Sequence, residues 1–155
     1  MAEKKVITVG RRVQDFSLSD QEGQQIRLST LQGKKVLLSW HPLAWTAVCA
    51  EQMKALEKIR RVFTKFNTLA LGLSVDTVPS KKAWGAVLRI KETRLLSDFW
   101  PHGKVARSLG LFRPLQGFSE RANILLDEAG KVVFVKVYPI KEIPDIIEII
   151  TFLKA

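Results

Sequence analysis

The sequence holds one cysteine, one tyrosine and two histidines in 155 residues. A lone cysteine excludes an intramolecular disulfide, so stability must come from a packed core, as in a reducing compartment. One Cys with the widely separated His41 and His102 also lacks the ligand spacing of a structural zinc site. No apolar run approaches the roughly 18 residues needed to cross a bilayer. Residues 1–10 carry no long apolar segment or small-residue cleavage site, so a secretory signal is not expected and a cytoplasmic protein is the default. Acidic residues are scarce too: 15 Asp plus Glu stand against 25 Lys plus Arg, a formal net charge of +10. Such an excess attracts polyanions at long range. The basic residues are nevertheless dispersed, with doublets such as Lys34-Lys35, Arg60-Arg61 and Lys81-Lys82. Dispersed doublets read as solvated helix faces, so neither nucleic acid nor membrane is the expected partner.

What is present fits one globular α/β domain over residues 1–155, with 46% apolar and 26% charged residues. Alternating apolar residues on either side of a Gly-containing turn predict a hairpin over 15–28. A short strand over 36–40 ends at His41-Pro42, since proline cannot extend a central ladder. Met53, Leu56, Ile59, Phe63 and Phe66 recur at helical spacing and predict one helix over 50–66. The almost continuously apolar stretch 68–75 suits a buried parallel strand. Further helices are expected over 79–90, 103–109 and 143–153, a strand over 94–97, and a hairpin from 122–126 to 132–138. Strands alternating with helices and closed by a late hairpin imply a mixed central sheet with helices on both faces.

The chemistry concentrates in residues 40–50, WHPLAWTAVCA, between a strand end and the start of a long helix. Cys49 falls at or in the first turn of that helix, where unpaired N–H groups and the positive end of the helix dipole favour an anion. A thiolate is therefore favoured there; a buried, inert cysteine is the competing assignment. The motif Pro42-x-x-x-Thr46-x-x-Cys49 resembles the active-site motif of peroxiredoxins, the AhpC/TSA superfamily. The resemblance continues through residues 9–16, 31–36, 72–76, 96–99, 105–112 and 120–127. Within the family, PLAWTAVC is most similar to the one-cysteine bacterial AhpE-like group.

The resemblance implies a thioredoxin-like fold and a homodimer. It also implies reduction of hydrogen peroxide or organic hydroperoxides through a Cys49 sulfenic acid. No second cysteine exists to resolve that acid, so an external thiol is implied: a low-molecular-weight thiol or a thioredoxin- or glutaredoxin-like protein. No metal or organic cofactor is required. The resemblance makes Arg121 the active-site arginine and Thr46 the residue positioning peroxide, and Pro42 would shield the pocket from water. For Thr46 a helix N-cap is the simpler alternative, and for Arg121 a surface charge ahead of a strand.

Three positions depart from the family pattern. Gln52 stands where many members have a carboxylate that holds the arginine, which leaves the arginine's orientation open. Lys81 replaces the histidine of a His-x-x-Trp pattern, and Trp100 stands where a small polar residue is common. His41 and His102 are expected to be structural or exposed, and Trp45 to line the pocket or a subunit interface. Two other functions share the fold. One is a basic holdase or binding protein whose action would survive loss of Cys49; the other is a peroxide sensor that relays oxidation to a partner.

Overall fold

The computed structural model describes residues 5–155; residues 1–4 of the expected domain lie outside the described residues. The chain opens with the expected hairpin, β1 (Ser17–Ser19) antiparallel to β2 (Gln25–Arg27). Its turn is tied by the buried Asp20 carboxylate, which accepts from the amides of Glu22 and Gln24. A 3-10 turn (Leu28–Leu31) leads into β3 (Lys35–Trp40), α1 (Ala47–Lys58) and α2 (Arg60–Lys65). β4 (Thr68–Ser74), α3 (Val78–Val87), β5 (Arg94–Ser97) and α4 (Lys104–Ser108) complete the alternating part. A small separate hairpin, β6 (Phe112–Arg113) with β7 (Phe118–Ser119), precedes β8 (Arg121–Leu126), β9 (Val132–Tyr138) and α5 (Ile146–Lys154).

The seven-stranded sheet runs β2-β1-β5-β4-β3-β8-β9. β3, β4 and β5 are parallel, while β8 runs antiparallel to β3 and to β9, so the sheet is mixed as expected. Period-two alternation sends the strand residues into two cores. Val36, Leu38 and Trp40 of β3 pack with Val105, Ala106 and Leu109 around α4, on one face. Leu37 packs on the other face with Met53, Leu56, Phe63, Trp84, Ile149 and Ile150, contributed by α1, α2, α3 and α5. Helices on both faces and this strand order give the thioredoxin-like fold.

Two expected elements differ, and one small hairpin was not expected. The helix over 50–66 is two helices, because Ile59 leaves the helical region (φ −107°, ψ 17°). The Arg60 guanidinium takes the Glu57 carbonyl (Nη1 to O, 2.8 Å) that a continuing helix would reserve for the amide four residues on. The apolar rhythm passes unbroken across the break, which hides it from periodicity. The last helix starts at Ile146, where Asp145 accepts from the Ile147 amide at 3.0 Å; Pro144 therefore lies outside the helix rather than in its first turn. Two-residue strands such as β6 and β7 are too short to carry a period at all.

Candidate active site

The loop from β3 to α1 is built to turn sharply. His41 still donates its amide to Leu73 O (3.0 Å), and buried Pro42 then ends the ladder. Trp45 adopts the left-handed region at φ 69°, uncommon for a bulky residue, and reverses the chain into the helix. Asp76, at the end of β4, anchors this loop by accepting from the Ala44 amide at 2.8 Å. Trp45 itself is exposed and donates its indole N–H to Ser80 Oγ at 3.1 Å, so it flanks the loop rather than filling the core.

Thr46 is the N-cap residue of α1, but its side chain makes no capping bond. The hydroxyl donates instead to Leu43 O at 2.7 Å, which commits its proton and leaves the oxygen's lone pairs as acceptors. The first bond of the helix is Ala50 N–H to Thr46 O at 3.0 Å. The amides of Ala47, Val48 and Cys49 precede it and have no carbonyl to pair with inside the helix. Cys49 is the third helical residue, fully buried and unpaired with another sulfur.

Arg121, first residue of β8, is buried rather than a surface charge. Nε and Nη2 both donate to the carbonyl of Ile140, at 2.9 and 2.7 Å. Nη1 donates to Gln52 Oε1 at 2.8 Å and approaches Cys49 Sγ at 3.2 Å. One Nη2 hydrogen is left without a protein partner among the described residues. Gln52, three residues after Cys49 on α1, therefore holds the arginine through a neutral amide oxygen where many family members have a carboxylate. Its own Nε2 donates to Ser39 Oγ (2.9 Å) and Trp40 O (3.0 Å), and Ser39 Oγ donates to Asn123 Oδ1 at 2.7 Å. The buried row Asn123–Ser39–Gln52–Arg121–Cys49 is thus continuous.

Of the residues singled out in the sequence, Cys49 and Arg121 meet directly. Thr46 sits one turn ahead of the sulfur, and Pro42 is buried in the loop before it. Ser39, Asn123 and the Ile140 carbonyl had not been singled out. The only trace they leave in sequence is a polar residue at an inward strand position, Ser39 in KVLLSW and Asn123 in RANILL.

Two further titratable side chains, Lys81 and His41, are fully buried. Lys81 of α3 donates Nζ to Leu96 O at 2.9 Å. Burial pushes its ammonium down to about 7, against the opposing pull of Asp76, Cys49 and Asp98. His41 is equally buried, tilted against Trp84 at 5.3 Å between ring centroids, with neither ring nitrogen hydrogen-bonded among the described residues. Burial first, then the charges of Lys81 and Arg121, hold the imidazole well below its ordinary 6.5. His102, by contrast, bridges carbonyls: Nδ1 lies 3.2 Å from Phe99 O and Nε2 2.7 Å from Gly117 O. Trp100 is exposed, and nothing in the structure explains it.

Comparison with known proteins adds three findings. Residues 9–135 match the AhpC/TSA family. The chain is 33% identical over 141 residues to alkyl hydroperoxide reductase E of Mycobacterium tuberculosis, spanning 90% of this chain and 92% of that one. Among solved structures it superposes on peroxidoxin BcpB from Mycobacterium tuberculosis with a TM-score of 0.83 and 28% identity, covering 94% of this chain and 96% of the other. It superposes on the reduced 2-Cys peroxiredoxin of Plasmodium vivax with a TM-score of 0.87 and 27% identity, covering 95% and 80%.

Proposed function

The chain belongs to the AhpC/TSA family and is a thiol-dependent peroxidase, and from that premise we propose that Cys49 is its nucleophile, with Arg121, Thr46 and Pro42 shaping the site. The observation that carries this assignment is the 3.2 Å approach of Arg121 Nη1 to Cys49 Sγ in a buried first helical turn. The thiolate attacks one peroxide oxygen. A sulfur–oxygen bond forms as the O–O bond breaks, sulfur gives up two electrons, and the departing oxide takes a proton to leave as water or an alcohol. Because the chain has no second cysteine, one external thiol condenses with the sulfenic acid to a mixed disulfide and water, and a second thiol then releases Cys49 and leaves as part of the external disulfide.

The magnitudes say where the rate comes from. An ordinary thiol with pKa near 8.5 is only about 3% ionised at pH 7, so full ionisation gains at most about thirtyfold, partly offset by lower nucleophilicity. Orientation of the peroxide and stabilisation of the growing charge must supply more. The unpartnered Nη2 hydrogen of Arg121 is a donor for a peroxide oxygen. The Thr46 oxygen, its own proton committed to Leu43, is an acceptor for the peroxide hydrogen. Pro42 contributes no N–H and limits water at the sulfur.

Both hydrogen peroxide and organic hydroperoxides are the proposed substrates. A low-molecular-weight thiol or a thioredoxin- or glutaredoxin-like protein is the proposed reductant. We further assign the full chain to one domain acting as a cytoplasmic homodimer, which sedimentation of the reduced protein tests. For the nucleophile, one equivalent of hydroperoxide is expected to add about one oxygen mass at Cys49. Cys49→Ser is expected to abolish thiol-dependent peroxide consumption, and retained consumption would remove Cys49 from the mechanism.

A further inference from the structure

Ser39 and Asn123 interrupt an apolar stretch of the sheet. Leu37 and Leu125, two residues away from them on β3 and β8, pack in the core with α1 and α5, and Ser39 and Asn123 are just as buried yet polar. Burial of these two does not serve stability alone. The Asn123 Nδ2 group has no hydrogen-bond partner among the described residues, which costs stability rather than adding to it. A buried polar side chain kept at such a cost calls for a role other than packing.

The hydrogen bonds that join them to the site have a direction. The Trp40 carbonyl can only accept and the Arg121 guanidinium can only donate, so the Gln52 amide between them turns its nitrogen to Trp40 and its oxygen to Nη1. Ser39 Oγ is the second acceptor for that nitrogen, at 2.9 Å. It is free to accept because Asn123 Oδ1 takes its proton, at 2.7 Å. At the other end, Nη1 reaches both Gln52 Oε1 (2.8 Å) and Cys49 Sγ (3.2 Å), so a turn of the amide moves the donor at the sulfur. No carboxylate is hydrogen-bonded to Arg121 among the described residues, its remaining partner being the Ile140 carbonyl. A neutral anchor leaves the guanidinium charge undivided for the oxide that departs from the peroxide.

We propose that Ser39 is a positioning residue for peroxide reduction, which with Asn123 orients the Gln52 amide and so sets Arg121 against the Cys49 sulfur. The assignment rests on Cys49 being the nucleophile and deepens it. Ser39 and Asn123 reach Arg121 only through Gln52, so their contribution to the rate vanishes once that amide is gone.

The test is a double-mutant cycle on the rate at which hydrogen peroxide oxidises Cys49 in the reduced protein, read beside urea unfolding of each variant. Ser39→Ala is expected to slow oxidation about fivefold and Gln52→Met about thirtyfold, the sizes of a neutral and a charge-assisted hydrogen bond. The double variant is expected to be no slower than Gln52→Met alone. Asn123→Leu removes the unpartnered Nδ2 together with the acceptor. It is expected to slow oxidation about threefold with no loss of stability, and to change nothing in the Gln52→Met background. A merely structural role would lower rate and stability together and would multiply with Gln52→Met. An unchanged rate in Ser39→Ala, or a double variant about fivefold slower than Gln52→Met, would overturn the proposal. If Ser39→Ala does not fold, Asn123→Leu with and without Gln52→Met decides by the same criterion. A wild-type rate no greater than that of a free thiol would instead defeat the Cys49 assignment, and the Ser39 role with it.

Discussion

The individual residues divide into those a motif announces and those that only the fold brings together. Cys49, Thr46, Pro42 and Arg121 belong to the first group, because their types and spacing carry a resemblance along the chain. The supports of Arg121 belong to the second. Ser39, Asn123 and the Ile140 carbonyl are separated in sequence, and nothing short of the β3–β8 pairing places Ser39 opposite Asn123. Arg121→Lys keeps a cation but loses the fork that grips Ile140. It is expected to slow Cys49 oxidation by about 10²-fold with unchanged far-ultraviolet circular dichroism, checked by stopped-flow kinetics. His41 gives a separate prediction for stability. The unfolded chain takes up a proton below about pH 6.5, whereas the buried imidazole stays neutral to well below that. Its contribution is therefore fully present above pH 6.5 and is lost as pH falls, at up to about 1.4 kcal/mol per pH unit. Urea unfolding of His41→Phe between about pH 6.5 and about pH 5 is expected to show a shallower loss than wild type.

At the level of elements, most helices and strands were legible because their apolar periods are clean, and the exceptions have local causes. The break at Ile59 is made by a side chain, Arg60, competing for a backbone carbonyl, which no apolar pattern encodes. The start of α1 matters more for function. It sits one turn earlier than the apolar period suggests, at Ala47, and this puts Cys49 within the set of unpaired amides. The seat of α1 on the sheet depends on Gly72 of β4, where an added Cβ would collide with Met53 Sδ and press on Leu95 Cδ2 at 3.1 Å. Met53 lies one turn beyond Cys49, on the same buried side of α1. Gly72→Ala is expected to cost about 1–3 kcal/mol in urea unfolding and to slow peroxide oxidation through displacement of α1. Unchanged stability and rate together would show that Met53 can move aside without disturbing the helix.

For the molecule as a whole, the alternation of strands and helices closed by a late hairpin made most of the element order and the mixed sheet with helices on both faces legible, while the family likeness added the thioredoxin-like fold. The burial of Lys81 and His41 was not legible in the sequence. Lysine is almost never fully buried and histidine is intermediate, so residue type alone points to neither position. The net charge of +10 belongs to the whole chain and is carried mostly by side chains away from the site, and it sets a control. Any retention on a polyanion column is expected to disappear with salt and to be the same for Cys49→Ser, since the charge lies outside the site. With Cys49 buried and alone, protein treated with one equivalent of hydroperoxide is expected to run as a single chain on a non-reducing gel. A covalent dimer would mean that two Cys49 sulfurs can meet. The most direct test of the peroxidase assignment is stopped-flow tryptophan fluorescence of the reduced protein mixed with hydrogen peroxide, with Cys49→Ser as control. A signal in wild type alone, orders of magnitude faster than oxidation of a free thiol, is the expected result. Oxidation at the free-thiol rate would contradict it, leaving Cys49 a buried cysteine whose neighbours do no catalysis.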